Sequence, residues 1–306
     1  MSMIRTLAFT MGIALFALGA PAFAQTPGTL NPQRLPPLAN PADPNLPAKE
    51  LFGRRHDPAP MAARAIGSYA RGCVAGGQAL AIDGPSWQVM RLSRNRNWGH
   101  PAMISFLERL AARVPSINGW PGLLVGDISQ PRGGPMLTGH VSHQLGLDAD
   151  IWLSPMPDRR LSAQEREFLS ATDVVAKNRL DVDPKVWTPS HTALIRAVSR
   201  EPEVERIFVN AAIKKALCRE AGSDRGWLRK VRPLYGHNYH FHIRLGCPAG
   251  ETACERQAAI PPGDGCDASL DWWFSNEAMN PRPGTPRAPL TLADLPAECT
   301  RVVITD

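Results

Sequence analysis

Six cysteines (Cys73, Cys218, Cys247, Cys254, Cys266 and Cys299) are spread through this chain of 306 residues. An even count in an exported chain reads as three disulfides, which tie distant segments into a loop-stapled fold. Six cysteines allow 15 pairings, and spacing alone suggests only that Cys247 and Cys254 close a short loop. A zinc-finger reading fails because the chain has no CxxC pair.

Export is read from the N-terminus. MSMIR supplies one positive charge, LAFTMGIALFALGA is an apolar run, and Ala22-Phe23-Ala24 offers a small-x-small cleavage pattern. Residues 1–24 are therefore expected to be a cleaved secretory signal, because the apolar run is short for a membrane span. No later stretch reads as a span, so stable membrane insertion is not expected. The formal charge of +6 favours an acidic partner, such as an envelope polymer bearing carboxylates. Nucleic acid is not expected, since the chain has no dense Lys/Arg stripe.

Residues 25–60 hold nine prolines and little apolar periodicity, which reads as an extended, mobile leader. A second proline-rich stretch within 280–306 runs towards Cys299, which is expected to pin this tail to the body. The domain itself is placed at 61–279. PAMISFLERLAARV has the apolar spacing of a helix, and GLLVGDI (122–128) that of a buried strand. Ser162 and Glu165 form a capping-box start for a helix through Phe168 and Leu169. Thr188-Pro189 opens another helix, ERIFVN (205–210) is strand-like, AAIKKALCREA (211–221) is helical, and FHIRLG (241–246) is a strand. Helices and strands do not alternate regularly. The expected fold is a single α+β domain, with a central antiparallel sheet flanked by helices and stapled by disulfides.

The chemistry concentrates in two places. YGHNYHFHIRLGCP carries three of the eight histidines, and GGPMLTGHVSHQLGLDADIWL carries two more. In a strand His240 and His242 share one face, with Phe241 pointing to the core and His237 in the bend before it. GLDADIWL likewise places Asp148 and Asp150 on one face of an apolar strand, a costly arrangement unless the acids are paired or metal-bound. Asp148 reads as a turn or cap acceptor and Asp150 as a ligand. A catalytic zinc site takes three protein ligands from His and Asp/Glu, with a water in the open position. His143, Asp150 and His242 supply such a set. His240 is then an unligated neighbour able to accept a proton or bind a developing oxyanion. His140 and His237 remain as supporting groups or contacts for another metal. Other hydrolytic designs are missing, since the sequence has no HExxH, GxSxG or SxxK.

The spacing from His143 to Asp150, followed by His240-x-His242, resembles the zinc peptidases of the lysostaphin, D-Ala-D-Ala carboxypeptidase and hedgehog amino-terminal group. The wider context resembles the penicillin-insensitive murein endopeptidases over roughly Ser68 to Trp273. It includes GHVSHQLGLDADIWL, WQVMRLSRNRNWGHP, RIFVNAAIKKALC, DRGWLRKVRP and the Cys247–Cys254 loop followed by PPGDGC. That resemblance implies a periplasmic metallo-endopeptidase acting on the cross-linked peptides of peptidoglycan. Its bonds would be D-alanyl to meso-diaminopimelyl, and in some members diaminopimelyl to diaminopimelyl. It implies zinc on His143, Asp150 and His242, metal binding by His140, catalysis by His240, and an active-site role for His237. It also implies the pairs Cys73–Cys299, Cys218–Cys266 and Cys247–Cys254. Some members carry a further Asp and His as metal ligands. Here the matching stretch, AKNRLDVDPKVW, has no histidine, and Asn178 and Asp181 are the nearest counterparts. One zinc is therefore expected, and the motif for a second is broken. The alternative from a different class is a non-catalytic, zinc-containing peptidoglycan-binding protein.

Overall fold

The computed structural model describes residues 26–282 and 288–306, so the signal segment expected at 1–24 lies outside the described residues. Seven strands form the main sheet in the order Val231–Pro233, Val204–Val209, His240–Leu245, Asp148–Trp152, Leu123–Val125, Trp87–Val89, Asp83–Gly84. The central pairings are antiparallel. Val231–Pro233 runs parallel to Val204–Val209, and Trp87–Val89 parallel to Leu123–Val125. The fold is α+β as expected, and its sheet is mixed, with an antiparallel centre.

One face of the sheet is apolar and covered by helices. Pro101–Asn118 is capped by His100, whose Nδ1 accepts from the Ala102 N–H, and Pro101 occupies the first turn where no donor is lost. Its buried Met103, Leu107, Leu110 and Val114 pack with Leu194, Ile195 and Val198 of the helix Pro189–Arg200. Ala212, Ile213 and Leu217 of Ala211–Glu220 join the same core, against Ala149, Ile151, Phe241 and Ile243 of the two central strands. Strand alternation therefore sends Asp148, Asp150, His240, His242 and Arg244 to the opposite face.

The capping box at Ser162 and Glu165 is present, and it opens the helix Ala163–Phe168. The helix stops one residue short of the expected Leu169, and its apolar end is not its buried side: Phe168 and Leu169 are exposed, whereas Arg166 is 3% exposed. The Arg166 guanidinium donates to the carbonyls of Leu161, Ile82 and Val89, so its burial is satisfied by backbone acceptors that apolar side chains could not serve.

Part of the proline-rich leader is built into the body. Ala48, Phe52 and Ala59 form a second core with Ile66, Cys73 and Ala75 of a hairpin and with Leu295, Cys299, Val302 and Val303. The C-terminal helix Ala297–Ile304 is tied there by Cys73–Cys299. Cys218–Cys266 and Cys247–Cys254 complete the three bridges, each paired as the family resemblance implies.

Lys214 is buried within Ala211–Glu220, its Nζ donating to the carbonyls of Leu228 (2.8 Å) and Asp264 (2.6 Å). Burial lowers its pKa to about 7. An unfolded lysine holds its proton to about pH 10.4. The unfolded chain therefore binds more protons between those values, and stability attributable to Lys214 rises as pH rises from about 7 to 10. Denaturant melts at both ends of that window should show the wild type gaining on Lys214→Met by on the order of 1 kcal/mol per pH unit.

Candidate metal and active site

The register across the two central strands assembles the site. His242 lies opposite Asp150, Arg244 opposite Asp148, and His240 opposite Trp152. The loop preceding Asp148 folds back over this face and delivers His140 and His143. His143 adopts a left-handed backbone conformation (φ 70°), as does His237 (φ 55°). Such conformations are uncommon outside glycine and persist where surrounding bonds hold them. For His143 the bond is explicit: its backbone N–H donates to Asp148 Oδ2 at 2.9 Å.

Asp150, 1% exposed, is the centre of the constellation. Its Oδ1 lies 3.5 Å from His143 Nε2, 3.5 Å from His242 Nδ1 and 3.6 Å from His240 Nε2. Its Oδ2 lies 3.5 Å from His140 Nε2. These separations are long for hydrogen bonds. They are close to the ligand-to-ligand edge of a tetrahedral zinc site, roughly 3.3–3.4 Å for bonds of about 2.0–2.1 Å. His143 Nε2 and both Asp150 oxygens are buried without a hydrogen-bond partner.

The outer contacts of the rings fix which nitrogens face inward. His143 donates through Nδ1 to the Ile128 carbonyl at 2.6 Å, which leaves Nε2 as a lone pair. His242 donates through Nε2 to Asp148 Oδ1 at 2.8 Å, which leaves Nδ1 as a lone pair. Both nitrogens face Asp150 Oδ1 at 3.5 Å, so with the rings neutral the carboxylate stands between two imidazole lone pairs, an arrangement suited to a cation. Ligand atoms of His140, His143 and Asp150 all lie within 4.8 Å of one another. His242 stands outside that triplet, although its Nδ1 faces Asp150. His140 Nε2 also lies 3.1 Å from Asp127 Oδ2, so the nitrogen it turns toward Asp150 is shared with a second acid.

Electrostatics follow from these contacts. Burial would raise Asp148, but Arg244 and His242 hold it far below the usual carboxylate range. Arg244 donates to both of its oxygens, at 2.7 and 3.2 Å. Burial likewise opposes ionisation of Asp150, and the surrounding His240, His143 and His140 outweigh it, holding the group well below its ordinary value. Burial disfavours a charged His143, yet Asp150 pushes its pKa up, an attraction for which proton and metal compete. Burial lowers His240 to about 3 and His242 to about 4, so both rings are neutral near pH 7.

His140, His237, His242 and Arg244 line a cleft of about 520 Å³, together with Tyr69, Phe208 and Leu234. All six residues singled out from sequence are brought together, since the His237 and His240 ring centroids are 4.7 Å apart. Asp148 is an acceptor as expected, but it also orients His242. Asp127 was missed: it is 4% exposed and accepts from His140, Arg94 and Arg96. An acid closing the apolar strand GLLVGD, with two arginines in RLSRNR to neutralise it, was the available signal. Asp181 is paired with Arg219 and Lys215, and Asn178 accepts from the Leu180 N–H.

Residues 65–304 match the family described as penicillin-insensitive murein endopeptidase. The chain is 51% identical over 222 residues to the penicillin-insensitive murein endopeptidase of Haemophilus influenzae, covering 72% of this chain and 75% of that protein. It is 45% identical over 238 residues to that of Klebsiella pneumoniae, covering 78% and 85%. It is 42% identical over 243 residues to one from Escherichia coli, covering 79% and 86%. A family match spanning both strand clusters, the intervening helices and all six cysteines leaves one assignment: this chain belongs to the penicillin-insensitive murein endopeptidase family.

Proposed function

We propose that this protein is a zinc-dependent endopeptidase that hydrolyses the peptide cross-links of peptidoglycan. The observation carrying this reading is the gathering of His140, His143 and Asp150, whose ligand atoms lie within 4.8 Å of one another, with His242 Nδ1 a further 3.5 Å contact to Asp150 Oδ1. Zinc held by His143, Asp150 and His242 would polarise the scissile carbonyl and make a water nucleophilic near neutral pH.

The remaining work falls to side chains. Asp148 holds the His242 ring by its Nε2–H, and Arg244 keeps Asp148 ionised. His240 is neutral near pH 7 and turns its Nε2 to within 3.6 Å of Asp150 Oδ1, which places that nitrogen beside the pocket to exchange a proton with the reacting groups. His140, anchored by Asp127, offers a further nitrogen toward Asp150, and His237 forms the cleft wall beside His240. The catalytic domain would span 61–279, with Ala48, Phe52 and Ala59 of the leader and the helix Ala297–Ile304 of the tail gathered in the second core. Among the described residues no helix is long and apolar enough to cross a membrane. With a cleaved signal at 1–24, the site of action is the periplasm.

The substrate bond in this reading is D-alanyl–meso-diaminopimelyl, and the family resemblance adds diaminopimelyl–diaminopimelyl as the second bond to test. Mass spectrometry of purified cross-linked dimers of each type after incubation with enzyme tests this. Monomers should appear from the first type, and the second decides the breadth of the activity. Binding of both dimers with no monomer released would instead identify a non-catalytic peptidoglycan-binding protein.

A further inference from the structure

Just outside the catalytic cleft the chain displays an aromatic surface that peptide hydrolysis does not use. Tyr235 is 48% exposed and Trp272 45%. Tyr235 meets Trp273 at 4.8 Å between ring centroids, and Trp272 meets Trp273 edge-on at 5.4 Å. The array is braced from behind, with Lys215 Nζ 5.0 Å from the Phe274 ring and Arg179 donating to the Met279 carbonyl at 2.8 Å. Tyr235 and Trp272 open onto a cleft of about 630 Å³ that also presents the side chains of Asn276 and Asn280.

This surface continues into the site. Leu234 lines the catalytic cleft and also the small recess beneath Tyr235 and Trp273. His237 Nδ1 donates to the Tyr235 carbonyl at 2.8 Å, so the aromatic surface and the cleft wall are one piece of chain. Clustered exposed aromatics on a soluble surface mark a binding site.

We infer that Tyr235 and Trp272 form a subsite for the glycan strand that carries the cross-linked peptides. A pyranose ring has an apolar C–H face that stacks on an indole or phenol ring. Its hydroxyl and acetamido groups meet amide donors and acceptors such as those of Asn276 and Asn280. Murein attaches its peptides to such a strand, and a platform adjoining the peptide cleft would hold the polymer while the cross-link is presented. The inference rests on the murein-hydrolase reading above.

The test compares two substrates: cross-linked peptides still carrying their disaccharides, and the same peptides freed of sugar. Trp272→Ala should raise KM roughly tenfold on the sugar-bearing substrate, with kcat within about twofold, and leave KM on the sugar-free peptide unchanged. Trp272→Phe, which keeps an aromatic face, should recover most of the loss. Thermal melting of both variants should match the wild type, given the exposure of Trp272. Equal KM shifts on both substrates, or no shift on either, would overturn the glycan subsite while leaving the peptidase reading intact. A wild-type enzyme that cuts neither substrate would remove that reading and the subsite with it.

Discussion

Asp150→Asn is expected to empty the metal site and lower cross-link cleavage by at least about three orders of magnitude, the scale reached when a directly acting group is removed. The substitution preserves shape and removes the charge. His143 Nε2 and His242 Nδ1 would still converge, but on a neutral amide 3.5 Å away in place of the carboxylate that balances a divalent cation. Loss of activity alone would not separate a metal ligand from a folding residue. Thermal melting with and without zinc does, because a ligand that binds only the folded state raises its stability. Zinc should raise the melting temperature of the wild type and leave that of the variant unchanged. The metal-free forms of both should remain folded.

The second large effect is on stability. Arg244 is 5% exposed, with its guanidinium 4.1 Å from the Tyr69 ring centroid and 5.1 Å from that of Phe208. It is the only full cation bonded to Asp148 among the described residues, and Asp148 is fully buried. Arg244→Met would strand that carboxylate, which costs about 3–5 kcal/mol when one partner of a buried pair is removed. Calorimetry should show a fall in melting temperature of roughly 10 °C for a chain of this size. Zinc affinity should fall by roughly 10–100-fold, because Asp148 orients His242. The charge-balanced pair Asp148→Asn with Arg244→Met should recover part of the stability. An unchanged melting temperature in Arg244→Met would show that the buried pair does not support the site.

How much of this was legible in the sequence depends on the range of the interactions. Alternation is local, so HFH and DAD announced two polar stripes on apolar strands, and the structure puts them on one face. Helix starts are local as well, and Ser162, Thr188 and Pro101 mark theirs. Cross-strand register is not local. Nothing near His242 indicates that it faces Asp150, or that Arg244 meets Asp148 96 residues away. Asp127 escaped for the same reason, since its partners come from two separate loops.

The inward side of Ala163–Phe168 was not legible, because the backbone acceptors that draw Arg166 inside belong to strands and loops distant in sequence. Part of the proline-rich leader, read from composition as extended and mobile, is held by contacts with the far C-terminus that composition does not encode. The histidines outside the clusters also illustrate the bland use of this residue. His191 Nδ1 accepts from the Thr188 N–H at 3.0 Å, and His100 caps its helix while pairing with Glu251. Neither joins the site, so crowding of histidine, rather than its presence, was the informative signal.

The proposed activity requires a zinc ion in the pocket around Asp150 for cutting peptidoglycan cross-links. Its most direct test is to strip the purified protein with a chelator and return zinc in measured steps. Bound metal and muropeptide-dimer cleavage are followed on the same samples. Cleavage should be lost on stripping and should return in proportion to bound zinc, reaching its maximum at one ion per chain. Full cleavage by metal-free protein would rule out a zinc-dependent reaction.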